Sequence, residues 1–155
     1  MFDRLDARQL SWDSEIAGGG MFVSGELQDY LADFARAAEA SGLPAKAPGA
    51  NWVSFTPIIR GSHVSLSVAR HQIQVNLNNE NDFDRKQFDK LYASRHEIEA
   101  EAGEGLIWEK KDGRKKTAIR VTLESGYEDD DWAGQHAWAL EMVSRFHRIF
   151  GRRLA

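Results

Sequence analysis

Three segments in the middle of the chain alternate apolar and polar residues with a period of two. Val53, Phe55 and Ile59 alternate with Ser54 and Thr56, and Arg60-Gly61-Ser62 then turns the chain. Val64, Leu66 and Val68 alternate with Ser65, Ser67 and Ala69; Ile73, Val75 and Leu77 alternate with Gln72, Gln74, Asn76 and Asn78. Successive strand residues point to opposite faces, and the turns are short, so the pattern predicts an antiparallel meander with one face buried. On both sides of it the apolar spacing changes to three and four. Leu27, Tyr30, Leu31, Phe34, Ala35 and Ala38 predict a helix that opens at Ser24 or Gly25 and stops at Gly42 and Pro44. Asp84 and Gln87 have capping-box spacing, so one helix is expected from Asp84 to Gly103, with Phe88, Leu91, Tyr92, Ile98 and Ala102 facing inward. Two further strands follow, Leu106 to Glu109 and Lys116 to Leu123, around a turn containing Asp112-Gly113. After the acidic run Glu128 to Asp131, a last helix carries Trp132, Ala139, Met142, Val143, Phe146, Ile149 and Phe150.

The order helix, three strands, helix, two strands, helix predicts an α+β fold. Short connections favour an antiparallel sheet of about five strands, and the helices must cover one face to bury both apolar sets. Residues 1–20 stand apart as an N-terminal arm, and 21–155 are expected to form a single domain. The arm has no sustained period and ends in Gly18-Gly19-Gly20. It reads either as a loose lead-in or as a segment that docks on a partner subunit through Trp12 and Ile16.

Composition adds limits rather than a function. The chain has 155 residues, 42% hydrophobic and 28% charged, enough for one core. It has no cysteine, so disulfides, thiolate metal sites and cysteine nucleophiles are excluded. No apolar stretch approaches the roughly 20 residues that span a bilayer, and Met1 to Asp6 is charged and lacks a signal core. A cytoplasmic location without membrane attachment is expected. The net charge of −4 repels nucleic acid on average, so such binding would need a segregated basic face.

The residues that could carry chemistry do not assemble a recognisable motif. Glu109-Lys110-Lys111 matches the Glu-x-Lys of a metal-dependent nuclease, but no Asp lies on a preceding core strand and Asp89 falls on a helix. An exposed charged turn is the simpler reading. His63, His71, His96, His136 and His147 lack metal-ligand spacing, and no Gly-x-Ser-x-Gly elbow is present. No catalytic, metal or cofactor site is therefore expected. Glu128 to Asp131 suits a helix N-terminus, with Asp131 as N-cap, and Arg145, Arg148, Arg152 and Arg153 answer it at the other end.

Those arginines also form a candidate binding surface together with Arg114, Lys115, Lys116 and Arg120. If folding gathers them, they could contact several phosphates. A second surface is the polar sheet face, where Ser65, Ser67, Gln74, Asn76, Arg120 and Thr122 are expected to lie together. Trp138 sits off the main stripe of its helix, and that extra apolar width suggests a homodimer.

From Tyr30 onward the chain resembles a bacterial family of domains of unknown function, often joined to nucleases of the restriction-endonuclease-like superfamily. The phrases that carry the likeness are Asn51-Trp52-Val53, Gln74-Val75-Asn76-Leu77, Phe88-Asp89-Lys90-Leu91-Tyr92 and His96-Glu97-Ile98-Glu99. Gly103 to Glu109, Asp131-Trp132 and Ala137-Trp138 complete the series. The resemblance implies a compact accessory domain in prokaryotic nucleic-acid or defence biology and implies no activity. The expectation is a non-enzymatic binding domain acting through nucleic acid or a partner protein. The alternatives are a homodimeric interaction module without nucleic acid and an enzyme of unrecognised type.

Overall fold

The computed structural model describes residues 25–46, 49–111 and 113–154, so the expected arm lies outside the described residues. Helix α1 (Gly25–Ala40) precedes strands β1 (Trp52–Ser54), β2 (Ser62–Val68) and β3 (Ile73–Asn79). Helices α2 (Lys86–Tyr92) and α3 (Arg95–Ala102), strands β4 (Ile107–Glu109) and β5 (Thr117–Leu123), and helix α4 (Trp132–Leu154) complete the order. The strands form one antiparallel sheet in the order β1-β2-β3-β5-β4. The expected α+β fold with five antiparallel strands is what the chain adopts.

Register places Leu66 opposite Val75, and Val75 opposite Val121, so the aliphatic residues of the three central strands share one face. Tyr30 and Phe34 of α1 and Phe146 and Phe150 of α4 are fully buried with them, as are Leu91 of α2 and Ile98 of α3. The period-2 strands thus meet the period-3.6 helices across a single interior. Gly103, in the left-handed conformation at φ 75°, ends α3 as the sequence predicts.

Three local expectations change. Strand β1 is shorter than its pattern, because Ile59 pairs only in an isolated bridge with Ser62. The expected helix from Asp84 to Gly103 is two helices that break at Ala93-Ser94. Its cap is also not the expected pair. Asp84 Oδ1 accepts only from the Lys86 N–H at 3.0 Å, whereas Asp82 accepts from the Gln87 and Phe88 N–H groups at 2.9 and 3.0 Å. Asp82 is 1% exposed and also accepts from the Thr117 hydroxyl at 2.7 Å. From there a relay runs back through the sheet: the Asn79 amide donates to Thr117 and the Ser62 hydroxyl donates to Asn79. One carboxylate therefore ties α2 to β5, β3 and β2.

Asp131 does cap α4 as expected, its Oδ1 accepting from the Gly134 N–H at 3.0 Å.

A candidate partner-binding face

The sheet's second face is polar along its length. Pairing aligns Ser54, Ser65, Asn76, Arg120 and Ile107 in one row across all five strands. Trp52, Ser67, Gln74 and Thr122 form the next row, and His63, Asn78, Ala118 and Glu109 flank the first on its other side. Buried apolar side chains from each of the four described helices join the core on the aliphatic face instead. The polar residues named from sequence are thus brought together, but they are not freely solvated. Ser65 is 7% exposed, and Gln74 and Asn76 are each 2% exposed.

Buried amides and hydroxyls must find partners or cost free energy, and here they bond one another. The Asn76 amide donates to Ser65 and Ser67 at 3.3 and 3.1 Å, and the Asn78 amide donates to Ser65 at 2.9 Å. Gln74 donates to Gln72 at 3.0 Å, and Gln72 donates to Glu124 at 3.2 Å. Arg120 donates through Nη1 to Gln74 at 3.0 Å and pairs through Nη2 with Glu109 at 3.1 Å. Lys111 reaches the same Glu109 oxygen at 3.5 Å. Burial first, and Arg120 next, push the Lys111 ammonium below the ordinary lysine range. Glu109-Lys110-Lys111 is therefore not the exposed turn expected from its letters: Glu109 is a largely buried partner for two cations. Two polar atoms on this face stay unpaired and buried, the Asn76 Oδ1 acceptor and the Arg120 Nε donor.

The basic residues named from sequence are largely neutralised where they lie. Lys116 pairs with Glu80 at 3.1 Å. Arg145 reaches Glu141 at 3.0 Å and the Ala102 carbonyl at 2.7 Å. Arg152 and Arg153 both hold Glu101 of α3, the latter at 2.5 Å. Arg114, Lys115 and Arg148 are exposed. Of the eight, Arg120 stands within the polar rows and is answered by Glu109, and Lys116 with its partner Glu80 stands beside His63 at their edge.

Two histidines are placed by packing rather than by ligation. His147 stands against Phe55 and lies 3.3 Å from the Thr56 carbonyl. His136, 4% exposed, packs edge-on to Tyr30 and Phe34 and meets Asp33 Oδ2 at 2.9 Å, beside an open depression between α1 and α4. Its Nδ1 is buried without a partner. Beside it the Tyr30 hydroxyl donates to Gln135 at 2.7 Å, and burial raises the phenol well above its ordinary value. Among the described residues no group of three or more histidines and carboxylates is placed to hold a metal ion.

Burial lowers the His136 imidazole below its ordinary value against the opposing pull of Asp33, so the folded state binds its proton less readily than the unfolded chain. Stability from neutral His136 is then complete above about pH 6.5 and is lost as pH falls below it, where the unfolded chain protonates first. His63, also lowered chiefly by burial, contributes with the same sign. Urea midpoints measured between about pH 7.5 and 5 should fall for the native chain and fall less steeply for His136→Gln. Equal slopes would remove His136 from this account.

The sequence carried a signal for part of this site. Alternating Ser, Gln and Asn opposite aliphatics marks a polar sheet face, but the partners of Glu109, Asp82 and His136 lie 11, 35 and 103 residues away and leave no local spacing.

No helix of the described residues is long and apolar enough to cross a membrane. Residues 27–154 match the model of a family described as a domain of unknown function, DUF4268. No curated protein matches the chain in sequence. Among solved structures, the fold is similar to the crystal structure of YbjN from E. coli, described as "a putative transcription regulator". The two share 12% identity at a TM-score of 0.53, over 84% of this chain and 91% of that one, which is a likeness of fold.

Proposed function

The chain belongs to the DUF4268 family, and on that premise we propose that it is a non-enzymatic binding domain that meets a partner protein across the polar face of its sheet. The observation that carries this reading is the polar face itself. It is five strands wide and charge-balanced by the Arg120–Glu109 pair, and the apolar core shared with the four described helices lies on the sheet's other face. Prearranged amides and hydroxyls suit the mixed donors and acceptors of a protein surface, and ordering them in advance lowers the cost of association. Nucleic acid is the weaker fit, because phosphates need unpaired cations and most of the basic residues here have acidic neighbours. The setting proposed for the complex is an accessory role in a prokaryotic nucleic-acid or defence system. The sequence resemblance to nuclease-associated domains supports that setting, as does the regulator description of the YbjN fold neighbour.

Fluorescence anisotropy of labelled single- and double-stranded oligonucleotides, titrated with the full chain at several salt concentrations, separates the two readings. The expected result is no binding in the micromolar range even at low salt. Binding that weakens steeply with salt would transfer the function to nucleic acid and direct charge reversal to Lys115, Lys116, Arg148 and Arg152.

A further inference from the structure

Among the described residues, Phe83 and Tyr92 are two of the few large apolar side chains left exposed, and they stand on one stripe. Phe83, 74% exposed, precedes α2, and Tyr92, 40% exposed, ends it, with exposed Lys86 and Asp89 between them at three-residue spacing. Neither ring is a loose end. Phe83 lies in a turn held on both sides by the buried Asp82 and Arg85, where the Arg85 N–H donates to the Asp82 carbonyl at 3.0 Å. The Tyr92 ring stacks on Phe88 at 5.6 Å, meets Trp108 edge-on at 5.4 Å and carries the Arg95 guanidinium at 4.3 Å. Rings fixed in advance lose little freedom on association.

The order along the stripe is aromatic, basic, acidic, aromatic. Phe83 and Tyr92 are centred between Gln87 and Phe88, and so are Lys86 and Asp89. One two-fold axis through that point therefore sets Phe83 against the partner's Tyr92 and Lys86 against the partner's Asp89, and the reverse. A contact between identical surfaces requires this reciprocity. A purely acidic partner would leave Asp89 facing like charge, and a purely basic one would do the same to Lys86. Both charges are also available. The Lys86 ammonium has no acidic partner among the described residues, and Asp89 meets Lys110 at 3.4 Å in an exposed pair of the kind that contributes little.

From these observations we infer that two copies of the chain associate through α2, with the stripe Phe83-Lys86-Asp89-Tyr92 of one laid antiparallel on that of the other. Trp138, whose place off its helix stripe suggested a homodimer, lies partly buried against the core. The α2 stripe shares no residue with the polar rows of the sheet, so this association and the partner-protein reading stand or fall separately.

Sedimentation equilibrium of the full chain tests the pairing through charge exchange. The native chain should be dimeric at roughly 50 μM. Lys86→Asp and Asp89→Lys each place like charges opposite one another on both sides of the axis, and each should weaken association about tenfold or more. An equimolar mixture of the two variants sets opposite charges together again and should recover association close to the native level. All the exchanged side chains are exposed, so far-UV circular dichroism of each variant should match the native chain. A native chain that stays monomeric at about 200 μM would overturn the inference. So would association that neither exchange weakens, or a mixture that associates no better than its components, because the copies would then meet elsewhere.

Discussion

Replacing Asp82 by alanine is expected to destabilise the protein by about 3–5 kcal/mol, the largest loss for any single polar side chain discussed above. Its carboxylate is 1% exposed and accepts three hydrogen bonds, from the Gln87 and Phe88 N–H groups and the Thr117 hydroxyl. Alanine leaves the buried Phe88 N–H and the half-buried Gln87 N–H at the start of α2 without this acceptor and removes the end of the Ser62–Asn79–Thr117 relay. Water has little room to take its place, because Thr117 and Phe88 are buried too. Domains of this size have roughly 5–15 kcal/mol of stability, so the variant should approach half-unfolding at modest urea concentration. Asp82→Asn keeps one acceptor oxygen and should lose less. A loss under about 1 kcal/mol for the alanine variant would mean that the carboxylate is dispensable for joining α2 to the sheet.

Gly126→Ala is expected to destabilise by about 3 kcal/mol, near the upper end for overpacking. A Cβ at Gly126 would lie 2.1 Å from the Ala69 carbonyl oxygen and 2.6 Å from the carbonyl group of Arg70, and neither is a side chain that can swing away. The same backbone accepts from the Tyr127 and Glu128 N–H groups, so a shift would also loosen the strap that joins β5 to α4. The Gly126 carbonyl accepts from Gln135, so the start of α4 would move with it. Gly105→Ala is the matched control: its Cβ meets nothing within 4 Å, and the substitution should change stability by only a few tenths of a kcal/mol. Thermal or urea unfolding of both variants gives the comparison. Equal midpoints would contradict the close approach at Gly126.

The contrast between these two residues and the strands explains what the sequence could show. Val64, Leu66, Ile73, Val75 and Leu77 announce themselves because pleating converts a local alternation directly into a buried face. Phe146, Ile149 and Phe150 do the same for α4 through helical spacing. Asp82 and Gly126 lie in connections, where alternation stops and where role depends on what the rest of the chain brings near. Asp82 has no local pattern around it, and its role depends on Thr117 arriving from β5. The break at Ala93-Ser94 escaped for a related reason: apolar spacing continues through Phe88, Leu91 and Ile98, so the pattern reads as one helix although the backbone turns.

The candidate site was legible in composition and hidden in energetics. Ser65, Ser67, Gln74, Asn76, Arg120 and Thr122 could be assigned to one face from the period alone. That Arg120 answers Glu109, and that Asn76 and Arg120 each retain an unmet atom, follows from strand order β3-β5-β4, which no local pattern encodes. The basic clusters show the converse. Arg152 and Arg153 look like a phosphate-binding pair along the chain, yet α3 presents Glu101 to both.

The most direct test of the central claim places a photo-crosslinking residue at Ser67 on the polar face, or at Arg148 on α4, in the full chain inside its native cells. The account predicts a discrete adduct with a distinct protein from position 67 that is resistant to nuclease and absent from position 148. Adducts from position 148 alone, or a position-67 adduct that nuclease removes, would contradict the polar face as the surface on which this domain meets a protein.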